Sequence, residues 1–157
     1  VEEQEYRRTY NSVSQRPCLF EKSVLAQRCG CRHARRFCLA DREGVACGSE
    51  TGNHRCRELL ETLRTNARFA LQMTGIHGPL PHAKELKVQS GGVRGLRAVL
   101  NSEHDGREPV EDVAWLTEQA LERFGALENL PFEQIVQHIL RFEGRRRRDR
   151  SRRKPDP

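Results

Sequence analysis

Six cysteines, Cys18, Cys29, Cys31, Cys38, Cys47 and Cys56, are confined to residues 18–56 of a 157-residue chain, in the pattern C-x10-C-x-C-x6-C-x8-C-x8-C. Cysteines serving as ordinary small core residues would be scattered, so the clustering points to a shared chemical task. The favoured task is holding an iron–sulfur cluster, for which four thiolates are the usual protein complement. Cys29, Cys31, Cys38 and Cys47 are the expected ligands, with Cys18 the first substitute. Gly30 allows a tight turn that lets the sulfurs of Cys29 and Cys31 approach one centre. Cys31 and Cys38 are seven apart, so they share a face if a helix starts at Cys31. Their axial separation would then be about 10 Å, long for one cluster unless Cys31 lies in the turn before the helix.

Zinc is the alternative occupant, since Zn²⁺ accepts four thiolates, or three thiolates and an imidazole such as that of His33. The absence of any C-x2–4-C knuckle weighs against it. The third reading is thiol chemistry or plain packing. Six thiols allow three disulfides, but an arginine-rich chain without a visible signal segment is not the usual disulfide scaffold. Cys56 is as well explained as a small buried residue on an apolar helix face as by ligation. Arg28, Arg32, Arg35, Arg36 and His33 fall among the cysteines, where cations would offset the charge of a thiolate-rich centre.

The elements that must position these thiols are read as helices. Residues 1–17 are polar, extended or a frayed helix. Pro17 introduces Cys18 and a short helix over about residues 20–27, and a second is expected over 32–43, stopped by Gly44. The strongest helix runs over about 54–73, capped by Asn53. On it, Cys56, Leu59, Leu60, Leu63, Ala67, Ala70 and Leu71 recur at three-and-four spacing. Residues 82–89 and 93–100 read as two short helices, or one bent at Ser90-Gly91-Gly92, because paired glycines cost roughly 1–2 kcal/mol in a helix interior. Pro109 precedes an apolar stripe of Val113, Leu116, Ala120, Leu121 and Phe124. Pro131 opens a last helix carrying Ile135, Val136, Ile139 and Leu140. No strand alternation stands out.

The expected fold is therefore all-α, a small bundle of five or six helices with an N-terminal cysteine-rich metal-binding segment. Its divisions are a polar extension (1–17), the cysteine segment (18–56), the bundle (54–144) and a basic disordered tail (145–157).

The net charge of +6 resides in that tail, which holds eight basic and two acidic residues and leaves the remaining 144 neutral overall. Arg145, Arg146, Arg147, Arg148, Arg150, Arg152, Arg153 and Lys154 could hold phosphates with strongly salt-dependent affinity. Arginine outnumbers lysine 24 to 4, which fits the coding bias of a GC-rich bacterial genome.

No apolar run approaches the roughly 20 residues of a transmembrane helix, and the acidic opening residues are unlike a secretory signal, so a cytoplasmic location is expected. No metalloprotease, phosphate-loop, nucleophile-elbow or EF-hand motif is present. Taken together, these features predict a non-catalytic iron–sulfur protein for electron transfer, sensing or metallo-enzyme maturation, working with a redox partner or a larger enzyme. The alternatives are a zinc-stabilised adaptor that holds nucleic acid through its tail and an accessory subunit of a larger enzyme.

Overall fold

The computed structural model describes residues 2–13, 16–72, 80–103 and 108–143. They form six helices and one two-stranded antiparallel sheet: α1 (Glu2–Val13), α2 (Glu21–Leu25), β1 (Ala34–Leu39), β2 (Arg42–Cys47), α3 (Glu50–Ala70), α4 (His82–Leu100), α5 (Val113–Phe124) and α6 (Phe132–Arg141), with a 3-10 turn at Leu127–Asn129 before α6. No helix among the described residues is long and apolar enough to cross a membrane.

The molecule is thus mostly helical, but the helix expected over 32–43 is a β-hairpin. Leu39 pairs with Arg42 across a two-residue turn, and both turn residues, Ala40 (φ 48°) and Asp41 (φ 64°), have positive φ, as a type I′ turn requires. That turn normally announces itself with Asn-Gly or Asp-Gly. Here a non-glycine pair adopts it, which is why the hairpin has no obvious sequence signature.

α3 fills the position expected of the strongest helix and buries Leu59, Leu60, Leu63 and Ala67. It begins earlier than expected, because Ser49 rather than Asn53 is the cap, accepting a hydrogen bond from the Gly52 N–H at 3.0 Å. Asn53 is instead a buried residue of the first turns.

α4 runs unbroken through Ser90-Gly91-Gly92. The glycines serve packing. A Cβ at Gly91 would lie 2.6 Å from Ile139 Cα, and one at Gly95 would lie 2.9 Å from Ile135 Cα. Bare backbone on α4 thus lets α6 lie directly against it, and this is the most extensive helix pairing in the fold. Dispersion attraction between the two close backbones offsets the poor helix propensity of glycine.

α5 is capped by Asp112, whose carboxylate accepts from the Ala114 N–H at 3.1 Å, and it packs on α3 and α4. α1 packs its rings onto the hairpin: Tyr10 meets Phe37 at 5.5 Å between centroids, and Arg42 lies 4.5 Å from the Tyr6 ring centroid.

Candidate metal centre

Four cysteines from four separate segments line one small apolar hollow: Cys18, Cys31, Cys47 and Cys56. The start of α3 is the hub that gathers them. Cys47 ends β2, and its thiol donates to the Ser49 carbonyl at 3.3 Å. One helical turn beyond the cap, the Asn53 side-chain amide donates to the Pro17 carbonyl at 2.8 Å, tying the segment that carries Cys18 to the helix that carries Cys56. The same segment lies along β2 through Cys18 N–H to Val45 O (2.9 Å) and Cys47 N–H to Arg16 O (2.7 Å).

Cys31 arrives from the other side. The loop before β1 is stitched to the approach of α5 by Gly30 N–H to Val110 O (2.8 Å) and Val113 N–H to Gly30 O (2.9 Å). The His33 N–H points at Cys31 Sγ at 3.5 Å, and the His33 and Ala114 backbone N–H groups both oppose the rise in its pKa. Donors of this kind stabilise a thiolate and tune any metal it holds. Leu19, Phe20, Val24, Val113 and Ala114 supply apolar walls, and His33 and Asn53 line the remainder.

The hollow has a volume of about 20 Å³, room for one water-sized body. Among the described residues, no three His, Cys, Asp or Glu side chains converge closely enough to hold a metal ion.

All six cysteines are free thiols. Burial, opposed by the Phe20 N–H and reinforced by neighbouring cysteines, pushes the Cys18 pKa up to about 12. Burial also carries Cys56 to about 12 and raises Cys31. The folded chain therefore holds protons that the unfolded chain, with thiol pKa values near 9, releases. A metal-free preparation is expected to keep this contribution fully below pH 9 and to lose it as pH rises toward 12. Urea midpoints measured across that range should fall, and Cys56→Ser should flatten the fall. Equal slopes for the two proteins would contradict the burial of Cys56. Tyr10, half-buried beside Glu21, adds a loss of the same sign at the alkaline end.

Of the four expected ligands, Cys31 and Cys47 meet at the hollow, together with the substitute Cys18. Cys29 is buried outside the lining residues, where burial pushes its pKa up to about 11 and the Ser23 side chain opposes the rise. Cys38 is exposed near the end of β1, paired with Glu43, so the helical argument that linked it to Cys31 does not apply. Cys56 completes the set. Its sequence signal is the three-residue step from Asn53, which puts a thiol and a buried amide on one face of α3.

The neighbouring cations are largely committed elsewhere. Arg32 pairs with Asp112 at 2.8 Å, and Arg36 donates to the Val24 carbonyl at 3.1 Å and faces Glu43 at 4.0 Å. The arginine-rich segment Arg145–Lys154 lies outside the described residues.

The chain matches no protein-family model, no curated protein and no solved structure.

Proposed function

We propose that Cys18, Cys31, Cys47 and Cys56 hold an iron–sulfur cluster, and that the protein is a non-catalytic carrier acting in electron transfer, sensing or metallo-enzyme maturation alongside a redox partner or larger enzyme. The observation that carries this reading is the meeting of four thiols, drawn from four chain segments, around one apolar hollow. Four sulfurs match the protein complement of a cluster without any other ligand. Apolar walls shield a redox centre from water, and N–H donors on Cys31 suit a thiolate-rich charge. Six free thiols fit a reducing compartment such as the cytoplasm.

The test is anaerobic purification with a visible spectrum and iron and acid-labile sulfide analysis of the same sample. A brown protein bleached by dithionite is expected. Serine at Cys18, Cys31, Cys47 or Cys56 is expected to remove or sharply reduce iron and sulfide. Serine at the exposed Cys38 is expected to leave both at the wild-type level. Loss of iron in Cys38→Ser but not in Cys56→Ser would reject the ligand set.

One observation favours zinc as the second reading: His33 lines the hollow and could complete a three-thiolate, one-imidazole tetrahedron. A colourless protein with about one zinc per chain, unfolded by chelator, would establish that reading instead.

A further inference from the structure

We propose that Arg28 and Arg94, seated over Phe142, form a binding site for a phosphate group on the body of the protein. Arg94 projects from α4, with its guanidinium carbon 4.9 Å from the Phe142 ring centroid, and Arg28 approaches the same ring at 5.8 Å. The backbone of Arg28 is fixed on both sides, by Arg28 N–H to Ser23 O (2.9 Å) and Val110 N–H to Arg28 O (3.3 Å). Phe142 is buried, so the ring that both guanidiniums approach is held in place.

Arg32, Arg36, Arg42 and Arg64 each have a carboxylate within ion-pair distance. Among the described residues neither Arg28 nor Arg94 has one, and Arg94 Nε is shielded from solvent without a hydrogen-bond partner. A third cation adjoins them. Arg97 donates to the Pro109 and Glu108 carbonyls, which fixes its charge one turn along α4. Burial, then the like charges of Arg28 and Arg97, lower the Arg94 pKa, the expected result of bringing cations close together.

Such a gathering is unfavourable alone and becomes favourable around an anion. Two planar guanidinium forks suit tetrahedral phosphate oxygens, and the ring faces restrict the forks before binding. The eight cations of 145–154 follow Phe142 closely in the chain, so the site stands at the root of a segment whose composition also suits phosphate. The phosphate could be free or part of a nucleic-acid backbone, and the site chemistry is the same. This inference is independent of the occupant of the cysteine hollow.

The experiment uses the full chain labelled with nitrogen-15 and follows the arginine Nε–Hε resonances. Inorganic phosphate, added at constant ionic strength against a chloride control, is expected to shift the Arg28 and Arg94 signals saturably. Arg94→Gln should weaken that binding roughly tenfold, the scale of one charge-assisted hydrogen bond. Arg94→Lys should restore part of it. Arg28→Gln, in a loop, serves as the second variant if Arg94→Gln does not fold by near-ultraviolet dichroism.

A labelled oligothymidylate supplies the other probe. If a backbone phosphate occupies the site, Arg94→Gln should reduce the slope of log affinity against log salt by about one. Unchanged oligonucleotide binding alongside lost phosphate binding would support the site with free phosphate as its ligand. No saturable shift with either probe beyond chloride, or equal affinities for wild type and a folded Arg94→Gln, would overturn the proposal.

Discussion

Replacing Glu85 with alanine is expected to destabilise the protein by about 3–5 kcal/mol, the range for removing one member of a buried ion pair. Glu85 is 1% exposed, in the first turn of α4, and its carboxylate accepts from Arg64 Nε of α3 at 3.1 Å on each oxygen, with Arg64 Nη2 adding a further bond. The Gln89 amide donates to it at 3.0 Å and the Leu80 N–H at 3.2 Å. Gln89 in turn accepts from the Ser23 N–H at 3.2 Å, and the Ser23 and Ser90 hydroxyls bond at 2.8 Å. Truncation would strand Arg64 and loosen a buried polar chain that reaches Ser23 and Ser90.

Urea denaturation of Glu85→Ala, Arg64→Met and Arg64→Met/Glu85→Leu would measure this. The double replacement should recover most of the loss, since an apolar pair leaves no orphaned charge. A loss below about 1 kcal/mol for Glu85→Ala would place the pair in the solvent-screened class. The pH dependence has a defined sign. Burial opposes the charged form of Glu85, but Arg64, Gln89 and the Leu80 N–H outweigh it and hold the pKa below the usual 4.5. The stabilisation is therefore present above pH 4.5 and is lost as pH falls through the lower folded value. Glu85→Gln should remove that acid-side dependence.

Gly91→Ala is expected to destabilise by about 1–3 kcal/mol, although alanine is the better helix former by about 1 kcal/mol. The added methyl would meet backbone, Ile139 Cα at 2.6 Å and the His138 carbonyl oxygen at 3.0 Å, so α4 and α6 must separate along their length. Gly92→Ala is the control on the same helix. Its methyl meets the Leu63 side chain at 2.7 Å, and a side-chain tip can rotate where a helix backbone cannot. Thermal melting should rank Gly91→Ala well below Gly92→Ala, and the reverse order would mean that the α4–α6 packing is not set by backbone proximity.

These two sites also show what sequence can and cannot disclose. Leu59, Leu60 and Leu63 sit at helical spacing with polar neighbours between them, so α3 could be read directly. The stripes of α5 and α6 were equally visible, with Pro131 at the start of α6 and Gly125 at the end of α5. Gly91 carried no such message, since a glycine that breaks a helix and one that admits a neighbouring helix look alike until the neighbour is placed.

The hairpin was hidden for another reason. Arg35 and Arg36 are consecutive and both exposed, which breaks the two-residue alternation of β1, and Ala40-Asp41 lacks the usual turn glycine. Reading that segment as a helix displaced the expected thiol set, because strand pairing carries Cys38 outward while β2 delivers Cys47 to the hollow. Clustering of the cysteines was legible in one dimension; which of them meet depended on a turn and on Asn53 reaching Pro17.

All four hollow-lining thiols precede the middle of the chain, whereas Val113 and Ala114, which close one wall, belong to α5. A ribosome therefore delivers the sulfurs before their cover exists. Early in synthesis they meet water as ordinary accessible thiols; afterwards they are screened by apolar walls. The Gly30–Val113 and Gly30–Val110 hydrogen bonds then act as a latch on a finished vessel. Whatever enters the hollow after folding must part those bonds, whereas before residues 110–114 are made nothing bars the way.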